Sequence, residues 1–140
     1  MTDSSYHRDV TDITQLLARY ALAMSKGDYP AAATVFTPDG TYSAFGETHT
    51  LEEFPIYLKD APHGLLVTSP PAIDVDGDTA TGEQVMYFVD QATHDTRLGY
   101  WTDEYRRTAD GWRVRSRSMT FMRRSGAFDS GNHVPKSTSA

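Results

Sequence analysis

"LGYWTDEYRRTADGWRVRSR", residues 98–117, decides the fold. Two runs rich in aromatic and polar residues flank "ADG", so the segment reads as two antiparallel strands joined by a tight turn. Upstream, "TATGEQVMYFVD" (79–90) adds a third long strand, linked through the loop "QATHDT". Downstream, "SMTFM" continues the last strand to Met122. Short turns between long strands give an antiparallel meander. "HGLLVTS" (63–69) and "AIDV" (72–75) also read as strand, with "DGD" (76–78) turning into residue 79. Pro70 and Pro71 interrupt them, which marks a bulge or a sheet edge, because proline cannot donate to a ladder.

The chain before residue 63 has helical spacing. Ile13, Leu16, Leu17, Tyr20, Ala21 and Met24 form one apolar stripe, with Asp9, Thr11 or Asp12 as N-cap and Gly27 as the stop. "DYPAAATVF" (28–36) is a short helix, with Asp28 as cap and Pro30 in the first turn. "TPDG" (37–40) is a turn signature and "TYSAF" (41–45) a short strand. "TLEEFPIYLKDA" (50–61) opens with Thr50 and Glu53 in capping-box spacing, which predicts a third helix. The whole predicts an α+β fold, a cone in which a curved antiparallel sheet wraps around N-terminal helices and encloses a cavity. Residues 1–8 are expected to be a flexible N-terminus, 9–123 the domain, and 124–140 a polar, flexible tail.

At 140 residues the chain has room for one domain. Thirteen basic against nineteen acidic residues give a net charge of −6. The basic residues cluster only at Arg113, Arg115 and Arg117, which argues against a phosphate-tracking nucleic-acid surface. There is no cysteine, so disulfides, thiolate metal sites and cysteine nucleophiles are excluded together. "MTDSSYHRDV" has no apolar core of a signal peptide, and no apolar run nears the roughly 18 residues of a membrane span. A cytoplasmic protein with no membrane partner is the expectation. His7, His49, His63, His94 and His133 show no metal-binding spacing.

"ITQLLARYALAMSKGDYPAAATVFTPDGTY", "IDVDGDTATG" and "LGYWTDEYRRTADGWRVRSR", in that order and spacing, resemble the SnoaL-like branch of the nuclear transport factor 2-like superfamily. The resemblance implies a cystatin-like cone around an apolar cavity, often in a homodimer whose sheets pack together. It implies cofactor-independent lyase, isomerase or cyclase chemistry on a hydrophobic cyclic or polyketide-like substrate. Some members bind a ligand and catalyse nothing, so a non-catalytic binding protein is the alternative.

Dehydratases and dehydrochlorinases of this group pair a helix-borne Asp with a strand-borne His. The resemblance places those positions at Ser25 and Leu65, so the dyad is absent and both residues become candidate substrate contacts. His63 lies two residues before Leu65, on the same strand face, and is the candidate proton acceptor; the other reading is a solvent-facing residue. Tyr20 matches an oxyanion-stabilising tyrosine of ketosteroid isomerases, or is a core tyrosine with a satisfied hydroxyl. The isomerases' catalytic carboxylate matches Ala44, which has none. Asp103 lies near their protonated acid, although the polar "TDEYRR" argues for a surface carboxylate. Arg117 matches a pocket arginine, or belongs to a surface face with Arg113 and Arg115 that pairs with Asp103 and Glu104. The strand "GEQVMYFVD" has no arginine for an epoxide-hydrolase arrangement. Tyr42, Tyr87 and Trp101 are the aromatic residues assigned to the substrate, among others that line a cavity or fill the core.

Overall fold

The structure is a computed structural model that describes residues 3–59 and 61–124. Helix α1 spans Asp3–Lys26. It starts ahead of Thr11, Asp12 and Asp9, the three caps the sequence offered, and the Asp9 side chain is engaged elsewhere. Its carboxylate is buried and receives Arg107 Nη1 (2.9 Å), Arg107 Nη2 (3.0 Å) and Trp112 Nε1 (3.1 Å). Residues 3–8 are therefore helical. The expected tail falls almost wholly outside the described residues.

Ile13, Leu16, Leu17, Tyr20 and Ala23 are the buried face of α1, which packs against strands of the sheet. Gly27, at φ +74°, ends the helix in the left-handed region that favours glycine. Helix α2 (Tyr29–Ala33) follows at once, with the Asp28 carboxylate accepting from Ala31 N at 3.2 Å.

Strand β1 (Phe36–Ala44) runs straight through "TPDG". The turn signature appears instead as a shift in its pairing between Phe36 and Thr41. Phe45 (φ 56°) and Gly46 (φ 79°) form a two-residue hairpin into β2 (Glu47–Thr50), as right-handed strand twist requires. Glu53 Oε1 accepts from Thr50 N at 3.1 Å, yet helix α3 starts only at Phe54 and ends at Lys59.

Strands β3 (Gly64–Thr68) and β4 (Ala72–Asp76) pair with successive halves of β5 (Thr79–Asp90). Pro70 and Pro71 fall in the gap between them, where Ser69 and Gln84 supply the hydrogen bonds. Strands β6 (Thr96–Thr108) and β7 (Gly111–Arg124) complete the meander. The sheet order is β2-β1-β7-β6-β5-β3. It is curved and unclosed, and mixed rather than wholly antiparallel, because β1 runs parallel to β7. The rest of the domain links those two strands, so no tight turn imposes an antiparallel pairing.

A register shift between β6 and β7 aims the key residues. Tyr105 pairs with Val114, but Glu104 pairs with Ser116, leaving Arg115 as the extra residue. A bulge changes which face the following residues occupy. Trp112 and Val114 point inward before it, and Arg117 and Met119 point inward after it. The three arginines therefore do not share one face.

Candidate functional site

Between α1 and the concave face of the sheet lies a cavity of about 90 Å³. Its deepest lining residues are Tyr20 and Trp101, each 2% exposed. Tyr42 joins them, its hydroxyl accepting from Trp101 Nε1 at 3.3 Å. Met24, Ala44, Leu66, Met86 and Met119 form the apolar wall. Phe45, Phe88, Phe121, Arg97 and Tyr29 stand toward the mouth, with Phe45 stacked on Phe121 at 4.7 Å. The Arg97 guanidinium lies 5.4–5.9 Å from the centroids of the three phenylalanine rings, a cation–π arrangement. A larger groove of about 450 Å³ is lined by Asp74, Asp76, Glu104, Arg106 and Arg115. Asp39 pairs with both of its arginines, and nothing in its shape resembles an enclosed apolar site.

Tyr20 meets Trp101 edge to face at 5.9 Å. Burial raises its pKa well above that of a free phenol. The Tyr42 phenol and the Asp103 carboxylate push the same way, while Arg117 opposes. The group therefore stays a protonated donor at neutral pH, as an oxyanion-stabilising phenol must.

Beneath this floor is a buried polar network. Arg117 donates to Asp103 from Nε (2.9 Å) and Nη2 (2.8 Å), and Nη2 also donates to Gln84 Oε1 at 2.9 Å. Tyr105 OH donates to Asp103 at 2.8 Å. Burial alone would disfavour the Arg117 charge, but the Asp103 carboxylate outweighs it and raises the guanidinium pKa. The guanidinium sits 3.9 Å from the Trp101 ring centroid and 4.9 Å from that of Tyr20. Asp103 is thus 1% exposed and not a surface acid, while its pairing with Arg117 is as the sequence suggested. Arg117 is not among the residues that line the cavity; it backs two that are.

Of the residues singled out in the sequence, Tyr20, Tyr42 and Trp101 come together here. Leu65 does not. It is 56% exposed on the outer face, and Leu66 lines the cavity in its place. Tyr87, 43% exposed, also faces outward. Ser25 is a clamp between elements: its hydroxyl accepts from Leu66 N at 2.9 Å and holds β3 to α1. His63 is exposed and does not line the cavity. Its Nδ1 lies 2.9 Å from the hydroxyl of Tyr29, which does.

Tyr29 and Leu66 escaped the sequence reading, which takes Met24 only as part of the apolar helix stripe. Nothing in the run Gly64-Leu65-Leu66-Val67 favours Leu66 over Leu65. No group of three His, Cys, Asp or Glu residues that could hold a metal occurs among the described residues. No helix among them is long and apolar enough to cross a membrane.

A family model described as a SnoaL-like domain matches residues 5–118. An uncharacterized protein of Mycobacterium tuberculosis, Rv2910c, is 29% identical over 131 residues, covering 80% of this chain and 84% of that protein. The crystal structure of a candidate scytalone dehydratase from Novosphingobium aromaticivorans superposes with a TM-score of 0.80 at 16% identity, covering 100% of this chain and 99% of the other. That of a type 2 hexachlorocyclohexane dehydrochlorinase gives 0.70 at 14% identity and 94% of each chain.

Proposed function

The chain belongs to the SnoaL-like domain family, and from that premise we propose that it is a cofactor-independent lyase or isomerase acting by proton transfer on a small hydrophobic cyclic molecule. The observation that carries this is the pair of phenols, Tyr20 and Tyr42, at the deep end of an otherwise apolar, aromatic-lined cavity. Donors fixed in apolar surroundings stabilise charge that develops on a carbonyl oxygen far better than they would in water. The kinship with small-molecule enzymes agrees with it.

The cavity is small. Ligand pockets usually occupy about 300–1,000 Å³, and this one is about 90 Å³. It suits at most one small ring as it stands, since an apolar cavity of about 150 Å³ is what holds benzene, and a fused-ring ligand would need Phe45 to swing away.

A second reading, non-catalytic binding of an apolar ligand, is favoured by one specific feature. Among the described residues, no carboxylate and no imidazole line the cavity. The two readings part on the exchange of 2-indanone, a flat ketone with acidic C–H bonds, in deuterated buffer. A proton-transfer enzyme accelerates deuterium incorporation beside the carbonyl, and Tyr20→Phe slows it. A binding protein quenches Trp101 fluorescence saturably with the ketone and leaves its exchange rate at the buffer value.

The proposal includes a homodimer. Leu65, Val67, Val85, Tyr87 and Leu98 form an exposed apolar row on the outer sheet face, and Val67, Tyr87 and Leu98 are in register across three strands. Light scattering of wild type and Tyr87→Glu tests it: a dimer that the variant dissociates is expected, and a wild-type monomer would refute it.

A further inference from the structure

Among the described residues no carboxylate or imidazole lines the cavity, so a proton must leave it through another lining group, and this inference rests on the enzyme reading. We propose that Tyr29 and His63 form a proton relay between cavity and solvent, in which Tyr29 is the catalytic residue and His63 the positioning and proton-storing one.

The geometry is specific. Tyr29 lines the cavity, and its hydroxyl is 2.9 Å from His63 Nδ1. Their rings lie 5.7 Å apart. His63 itself is exposed, so the pair spans the wall.

Both partners are held from the backbone. Tyr29 is the first residue of α2, set by the Asp28 cap and followed by Pro30. His63 O accepts from Gln91 N at 3.0 Å. The next residue must be glycine, because a Cβ on Gly64 would fall 1.9 Å from Val89 O. On the other side, the chain turns at Gly27, whose φ of +74° lies in the left-handed region that favours glycine, close beside the imidazole.

The step balances without any added reagent. The C–H bond beside a ketone breaks, its electron pair becomes the enolate double bond, and the carbonyl π pair moves to oxygen. The proton goes to Tyr29 oxygen as the Tyr29 proton passes to His63 Nδ1. Tyr29 ends unchanged, His63 becomes imidazolium, and Tyr20 or Tyr42 donates to the enolate oxygen. Return of a proton at the same carbon gives exchange, and at another carbon gives isomerisation. Burial raises the Tyr29 pKa, which keeps its resting hydroxyl a protonated phenol. Among the described residues, the titratable groups on the segments around His63 are Lys26 and Asp28 beside the Gly27 turn, Lys59 at the end of α3, and Asp90 opposite Gly64. The Asp90 carboxylate is taken up by the N–H groups of Ala92 and Thr93.

The test is deuterium exchange of 2-indanone by the full chain, with binding followed by Trp101 fluorescence. Wild-type exchange is expected to fall in acid as imidazoles charge. Tyr29→Phe should bind the ketone as wild type does and lose exchange about 100-fold or more, the lower range for a general acid–base group. His63→Gln should lose most of the exchange and flatten the pH profile. Variants that exchange like wild type would overturn the relay while leaving the enzyme reading intact. Binding without exchange by wild type would overturn both and leave a binding protein. An absence of binding would refute the cavity assignment itself, and the relay with it.

Discussion

Replacing Asp103 with Ala should be the most destabilising single change in this protein that does not touch the apolar core. The side chain is 1% exposed and accepts three hydrogen bonds, two from Arg117 and one from Tyr105. Truncation leaves the guanidinium, itself 1% exposed, with Gln84 as its one remaining hydrogen-bond acceptor. Removing one partner of a buried pair costs about 3–5 kcal/mol, because the other charge is left uncompensated. At about 3 °C per kcal/mol for a domain of this size, the melting temperature should fall by roughly 10–15 °C. Urea denaturation measures the free energy, and a cycle with Tyr105→Phe separates the phenol's share, about 1.5–3 kcal/mol for a bond to a charge. The double variant Asp103→Leu with Arg117→Met should recover much of the loss, since apolar replacements of buried ion pairs are often neutral. A cost below about 1 kcal/mol for Asp103→Ala, the range of exposed pairs, would refute the buried network.

Ser25→Ala should cost about 1–3 kcal/mol by leaving the Leu66 N–H without its acceptor, and 2-indanone should bind unchanged; a stability loss below the error of urea denaturation would refute the clamp. Leu66→Ala should cost about 2–5 kcal/mol and weaken ligand binding, whereas Leu65→Ala should stay within about 0.5 kcal/mol and leave binding alone. The Arg107 hydrogen bonds hold the Asp9 pKa below its ordinary value against the opposing effect of burial. Its stabilisation is therefore present above the unfolded-state carboxylate pKa of about 3.9 and is lost as pH falls through the lower folded value. Asp9→Asn should thus cost about 1–2 kcal/mol at pH 6, discounted because Arg107 is 39% exposed. The gap from wild type should narrow as pH falls below the unfolded-state value in urea titrations, and a gap independent of pH would refute the linkage.

The fold was legible because its signals are periodic. The stripe from Ile13 to Met24 has helical spacing, and the three long strands are separated by turn residues. What failed is what periodicity does not encode. The run Gly64-Leu65-Leu66-Val67 does not alternate, so only the register against β5 decides that Leu66 faces inward. Arg113, Arg115 and Arg117 alternate in sequence, and the bulge at Arg115 breaks their common face. Asp103 sits in a polar stretch, yet its burial depends on Arg117 fourteen residues away, a pairing that the sequence allowed but did not require. Parallel pairing of β1 with β7 joins residues such as Tyr42 and Arg117, far apart in sequence, and no local pattern announces it. Within the site, Tyr20, Tyr42 and Trp101 followed from aromatic content and helix phase. The Tyr29–His63 contact depends on the Gly27 turn, which brings α2 back against the start of β3.

The central claim is that the phenols at the cavity floor hold the oxygen of a small cyclic ligand. A crystal structure with 2-naphthol, a flat enol, tests it most directly. The account predicts the naphthol oxygen within hydrogen-bonding distance of the Tyr20 or Tyr42 hydroxyl, the rings against Trp101, and the far edge toward Tyr29 and Phe45. A naphthol seated in the charged groove beside Arg106, or with its oxygen turned out to the mouth, would contradict it.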